Sequence, residues 1–250
     1  MASESTELSF WDHLDALRGT LLRSLAAVCI MTVLGLVFRN FLFDRLILAP
    51  TSPDFFIYRW FPLHSDVHIV NLEISGQFMV HLRVSFMLGL VLAFPYIIWE
   101  IWRFIAPALY DREKSGVSRA FLMSGGLFYL GVLVGYFILL PVCLSFFQGY
   151  TVSESVVNSF SLQSYISLFA SMVLVIGLVF EFPVLIMALS SVGILTRPML
   201  KKGRRYALVA VLILAAAITP ADLGSMILVS IPLYGLYELS ILFSKKEAEQ

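Results

Sequence analysis

Glu181 is the residue whose position most needs a chemical reason. It lies in the apolar stretch from Ile176 to Met187, where an ionised carboxylate is costly unless it faces water or a partner. Two readings follow: a hydrogen-bonded carboxyl that holds two helices together, or a polar point on a water-accessible or partner-facing concavity. A second group of acids, Asp111 and Glu113, sits among Arg103, Arg112 and Lys114. Topogenic charge requires the bases but not the acids, so these carboxylates are candidates for binding something cationic. From Phe10 to Leu22, apolar residues at Phe10, Leu14, Leu17 and Leu21 make a helical stripe, with Asp12, His13 and Asp15 off it. That pattern predicts an amphipathic helix leading into the first apolar run. Glu238, near the end of the last run, reads as a snorkelling side chain.

Patterns for covalent or metal chemistry are missing. His13, His64, His68 and His81 show no metal-ligand spacing beyond the pair His64 and His68, which reads as a surface coincidence. There is no Gly-x-Ser-x-Gly, no phosphate-binding glycine loop and no pair of intramembrane aspartates. An enzyme reading has little support, and nothing calls for a cofactor or a metal. Cys29 and Cys143 both fall inside apolar runs and read as small hydrophobes rather than a disulfide.

The elements that must position these residues are membrane helices. Of 250 residues, 59% are hydrophobic and 14% charged, and the mean hydropathy is +0.88; soluble domains carry about 25% charged residues. Lys plus Arg and Asp plus Glu balance at 17 each, so no bulk basic surface argues for nucleic acid. The apolar runs predict an all-α integral membrane protein in one domain, with six spans at about 21–43, 78–104, 120–147, 165–192, 206–219 and 224–243. Pro95, Pro141 and Pro183 fall within the second, third and fourth runs and predict kinks. The last two spans are short because they share the segment between Arg205 and Lys245, split by the turn signal at 219–222. Between the first two spans lies a loop rich in proline and aromatic residues (Pro50, Pro53, Phe55, Phe56, Tyr58, Trp60, Phe61, Pro62), expected to cap the bundle at the membrane surface.

Basic residues set the orientation. One side holds Arg18, Arg23, Arg103, Arg112, Lys114, Arg119, Arg197, Lys201, Lys202, Arg204, Arg205, Lys245 and Lys246; the other holds only Arg39, Arg45, Arg59 and Arg83. Both termini are therefore expected in the cytoplasm. The first ten residues carry Glu4 and Glu7 without a basic region, unlike a cleavable signal peptide. No internal repeat is detectable, which weighs against the main rival class, a secondary transporter using Glu181 as an intramembrane carboxylate.

Taken together, these residues resemble the TatC family, the multispanning receptor subunit of the twin-arginine protein translocase. The resemblance covers about residues 8 to 245. It rests on His-Leu-x-x-Leu-Arg at 13–18, Ala-Pro at 49–50, Trp-x-Phe-Ile-Ala-Pro-Ala-Leu-Tyr-x-x-Glu at 102–113 and Phe-Glu-x-Pro-Val at 180–184. Gly-Ile at 193–194 before a basic loop, Thr-Pro-x-Asp at 219–222 and Ile-Pro-x-Tyr-x-x-x-Glu at 231–238 complete it. It implies a receptor in the bacterial cytoplasmic (inner) membrane that binds the twin-arginine signal peptides of folded cargo. Such a receptor assembles with single-span TatA- and TatB-type partners, contacts lipid, self-associates in the complex, and depends on the proton-motive force.

Carried over by position, Glu113 resembles the acid that meets the signal's arginine pair, with Phe104 and Arg18 as parts of that cytoplasmic site. Glu181 resembles a polar residue of the concave face. Pro50 resembles the residue that shapes the external cap, and Thr219 and Asp222 resemble the turn beside the partner-binding short helix. One departure stands out. Family members usually carry a second acid where this chain has Ala16. Asp12 is one turn earlier on the same face and Asp15 is rotated by about 100°; either can substitute. Met226 is a further departure, apolar where some members are polar.

Overall fold

Small residues decide how closely the helices approach. The computed structural model describes residues 10–60, 67–108, 111–151, 153, 158–219 and 223–244, without the side chains of Phe10, Asp12, Ala108, Asp111, Arg112, Glu113, Ser115 and Phe243. Helix α1 (Phe10–Val37) is followed by a π-helical turn (Phe41–Ile47), a 3-10 turn (Ala49–Thr51), the short α2 (Phe56–Trp60) and α3 (Gly76–Ile105). The amphipathic segment and the first apolar run are thus one continuous helix. α1 and α3 lie antiparallel. A Cβ on Gly35 would stand 3.1 Å from the Ser85 Cα, and one on Gly89 would stand 2.8 Å from the Thr32 nitrogen. Small side chains are what let apolar helices pack in lipid, where there is no hydrophobic drive to associate.

The third and fourth apolar runs are helices that each contain a π-helical turn. The third comprises α4 (Asp111–Val134), the turn Gly135–Leu139 and α5 (Leu140–Gly149). The fourth comprises α6 (Leu162–Ala170), the turn Ser171–Val175, α7 (Ile176–Val179) and α8 (Phe182–Ser191). The two π turns meet face to face, and a Cβ on Gly135 would collide with the Met172 carbonyl. Gly131 packs against Gly177 and the Phe180 ring in the same crossing. After α9 (Arg197–Lys202) come α10 (Arg204–Ile218) and α11 (Leu223–Phe243); α11 packs on α8 and α10.

Among the described residues, five helical stretches are long and apolar enough to cross a membrane: His13–Val37, Gly76–Ile105, Gly116–Gly149, Leu162–Ser191 and Leu223–Leu242. α10, with 15 residues, is not among them. Pro95 lies inside the unbroken α3, whereas Pro183 opens α8 directly after the turn at Phe180 and Glu181.

Tyrosines complete the backbone where proline leaves a carbonyl without its donor. Pro95 has no N–H for the Val91 carbonyl four residues back; the Tyr129 hydroxyl of α4 donates to it at 3.1 Å. In the π-helical turn just before Pro50, the Leu46 carbonyl accepts from Tyr136 at 2.8 Å. The neighbouring Ile47 carbonyl accepts from Tyr165, and the Pro50 carbonyl accepts from Tyr58 at 2.6 Å. Phe55 is buried against Tyr136 and Phe137, so the described part of the cap is an extension of the core formed by Leu140, Phe169, Met172 and Ile176. A two-residue parallel pairing of β1 (Ile69–Val70) with β2 (Phe160–Ser161) joins the two loops on that side. Gln163 donates to Glu73 beside it at 2.7 Å.

Candidate functional site

The α1–α3 seam carries two contacts at one end of the bundle. His13 lies against the Phe104 ring, centroids 4.8 Å apart. Deeper in the seam Arg23 reaches Glu100: its Nε donates to Oε2 at 2.9 Å and its Nη2 lies 2.8 Å from the same oxygen. The other carboxylate oxygen accepts from Tyr96 at 3.0 Å. Glu100 is fully buried, while the Arg23 side chain keeps 46% of its surface exposed. Arg103, one residue before Phe104, lies over the Trp99 ring at 5.9 Å.

The sequence candidates distribute unevenly around this seam. Phe104 is half-buried within it, and Asp15, Ala16 and Arg18 are exposed on α1. Glu113 belongs to the first turn of α4; its side chain, like that of Asp12, lies outside the described residues. Asp222 and His64 lie outside them altogether. Glu181 sits at the break between α7 and α8, where it accepts a hydrogen bond from Ser124 of α4. Its other oxygen is buried without a hydrogen-bond partner among the described residues. Pro50 is buried in the cap. Thr219 caps α10, and its hydroxyl donates to the Ala215 carbonyl at 2.9 Å. Met226 packs against the main core. Glu238 does more than snorkel: it pairs with Arg204 at 2.7 Å and accepts from Tyr234 at 3.2 Å. Among the described residues, neither Cys29 nor Cys143 forms a disulfide. Among the described residues, no three His, Cys, Asp or Glu side chains cluster as a metal site would require.

Sequence reasoning missed the Arg23–Glu100 pair. Arg23 was counted with the basic residues of the loops, and Glu100 sits inside an apolar run without drawing notice. The available signal was depth. Both charges lie near the same end of two consecutive, hence antiparallel, runs, which places them at a similar level.

Comparison with known proteins agrees with this architecture. Residues 12–232 match the family model for TatC, the Sec-independent protein translocase protein. The chain is 39% identical to the TatC protein of Blattabacterium sp. subsp. Periplaneta americana, covering 98% of this chain and 97% of that one. Against the TatC protein of Escherichia coli K12, identity is 32% over 93% of this chain and 86% of the relative. The crystal structure of the twin-arginine translocase receptor TatC superimposes with a TM-score of 0.76 at 32% identity, covering 92% of this chain and 97% of that one.

Proposed function

Because the chain belongs to the TatC family of Sec-independent protein translocase proteins, and is therefore a multi-pass membrane component of protein transport, we propose that it is the signal-peptide receptor and core subunit of a twin-arginine translocase. In this reading it binds the arginine pair of signal peptides on folded cargo and assembles with TatA- and TatB-type single-span partners. Export through that complex draws on the proton-motive force. The chain lies in the bacterial cytoplasmic membrane with both termini inside and six crossings, the fifth supplied by the short α10. The prolines bend the second, third and fourth spans, and Glu181 lies on the concave face. Thr219 and Asp222 flank the contact for a partner helix.

The observation that carries the reading is the His13–Phe104 contact. It brings His13, of the His-Leu-x-x-Leu-Arg segment of α1, against Phe104, nine residues before Glu113 in the sequence. Arginine presents a planar fork of donors that a carboxylate accepts in parallel, and charge-assisted bonds of this kind contribute about 1.5 to 3 kcal/mol. Glu113→Gln should therefore weaken binding of a twin-arginine peptide by roughly ten- to a hundredfold, with Glu247→Gln in the tail as a silent control. Unchanged affinity in Glu113→Gln refutes that assignment. Crosslinking of the peptide to residues 10–20 and 103–115 tests the site as a whole. The family and the structural likeness leave the secondary-transporter alternative without support.

A further inference from the structure

Arg23 and Glu100 pair in a way that leaves room for improvement. Arg23 Nε and Nη2 converge on Oε2, while among the described residues Oε1 takes only the Tyr96 hydroxyl. The parallel two-oxygen arrangement that guanidinium and carboxylate favour is therefore unused. The guanidinium also folds back along α1: a Cβ on Gly19 would stand 3.1 Å from its Nη1. Ala16, Gly19 and Arg23 fall on one stripe of α1, at spacings of three and four residues. The two small residues leave the outer face of the pair uncovered toward the end that carries His13 and Arg18. On α3, Glu100 precedes Phe104 by four residues and so shares its face to within about 40°. A carboxylate thus lies directly beneath the His13–Phe104 contact, on the chain that lacks an acid at position 16.

We propose that Glu100 is a masked second acid of the recognition site, held by Arg23 as a resident counter-ion until a guanidinium of the arriving peptide exchanges into the pair. This rests on the twin-arginine reading above and specifies how the site works in this chain. The exchange conserves charge at every stage. Glu100 passes from one guanidinium to another and is never left buried and unpaired, the condition that makes broken buried pairs so destabilising. Arg23, whose side chain keeps 46% of its surface exposed, is released from the seam. The incoming group gains the two-oxygen geometry that Arg23 does not use. Because one pair is traded for another, Glu100 adds less affinity than a free acid would. It adds selectivity for a planar fork, which an ammonium does not match.

The test is a double-mutant cycle on the full-length chain. Wild type, Glu100→Gln and Arg23→Lys are titrated with a twin-arginine peptide and with versions in which either arginine is replaced by citrulline, which keeps the shape and loses the charge. Glu100→Gln retains a partner for Tyr96 and leaves Arg23 to solvent, and thermal unfolding checks that it folds. Exchange predicts that Glu100→Gln weakens the twin-arginine peptide about tenfold and leaves one of the two citrulline peptides unaffected. Arg23→Lys, a poorer resident, tightens the twin-arginine peptide by about threefold. Equal weakening of all peptides by Glu100→Gln, or none, overturns the proposal and leaves the pair as a helix-to-helix lock. If wild type binds all the peptides alike, the recognition reading itself is refuted, and this proposal with it.

Discussion

Removing the Tyr129 hydroxyl should harm the protein only while Pro95 is present. Tyr129→Phe deletes a side-chain donor to the Val91 carbonyl, which Pro95 cannot serve because it lacks an N–H. An unsatisfied buried carbonyl costs about 1 to 3 kcal/mol in proteins generally. Interhelical hydrogen bonds measured within membranes average about 0.6 and reach about 1.7 kcal/mol. The 3.1 Å bond is of ordinary length, so a loss of about 1 kcal/mol is expected. Pro95→Ala restores a backbone donor to α3, and in that background Tyr129→Phe should cost close to nothing. Reversible unfolding of the four proteins in mixed micelles supplies the cycle, with a coupling of about 1 kcal/mol expected. Equal losses in the two backgrounds refute the reasoning, because they would place the Tyr129 contribution in packing rather than in the carbonyl.

Other expectations follow from single contacts. Gly135→Ala forces a Cβ into the Met172 carbonyl, and since backbone cannot step aside as a side chain can, a loss of about 2 kcal/mol or more is expected in the same unfolding assay; a neutral variant would show that the two π turns separate freely. Glu181→Ala should remain in the membrane at near-normal level while impairing cargo export, and loss of the protein from the membrane would point instead to a purely structural carboxyl. Cysteines placed at 197–205 should be labelled from the cytoplasm and those at 148–161 from outside; labelling of both from one side contradicts the proposed orientation. Arg204→Gln should leave stability near wild type, because the Arg204–Glu238 pair is exposed at 48% and 34% and surface pairs contribute little.

Length and apolarity made the long helices readable from the sequence, and Glu181 was legible because a lone carboxylate in an apolar run has few explanations. What was not legible depends on partners distant along the chain. Nothing local to Pro95 says that a tyrosine 34 residues later will complete the backbone. Nor does local pattern reveal the π turns, since one extra residue per turn leaves an apolar run apolar. The acid that resemblance expects at position 16 was sought nearby on α1, at Asp12 and Asp15. The carboxylate that the fold brings under Phe104 is instead on α3. Charge counting hid it, because an arginine credited to topology was no longer free to be credited to a partner.

The tyrosine caps also impose an order on birth. The Ile47 carbonyl waits for Tyr165, 118 residues downstream, and β1 waits for its mate at Phe160 and Ser161. At about 5 to 20 residues per second of synthesis, that is an interval of roughly 6 to 24 s. Throughout it the segment between α1 and α3 must keep its unpaired carbonyls in contact with water or with the insertion machinery. The loop nearest the start of the chain is therefore among the last to be finished, and a nascent chain halted after α5 would display it unclosed, a recognisable mark of an immature molecule.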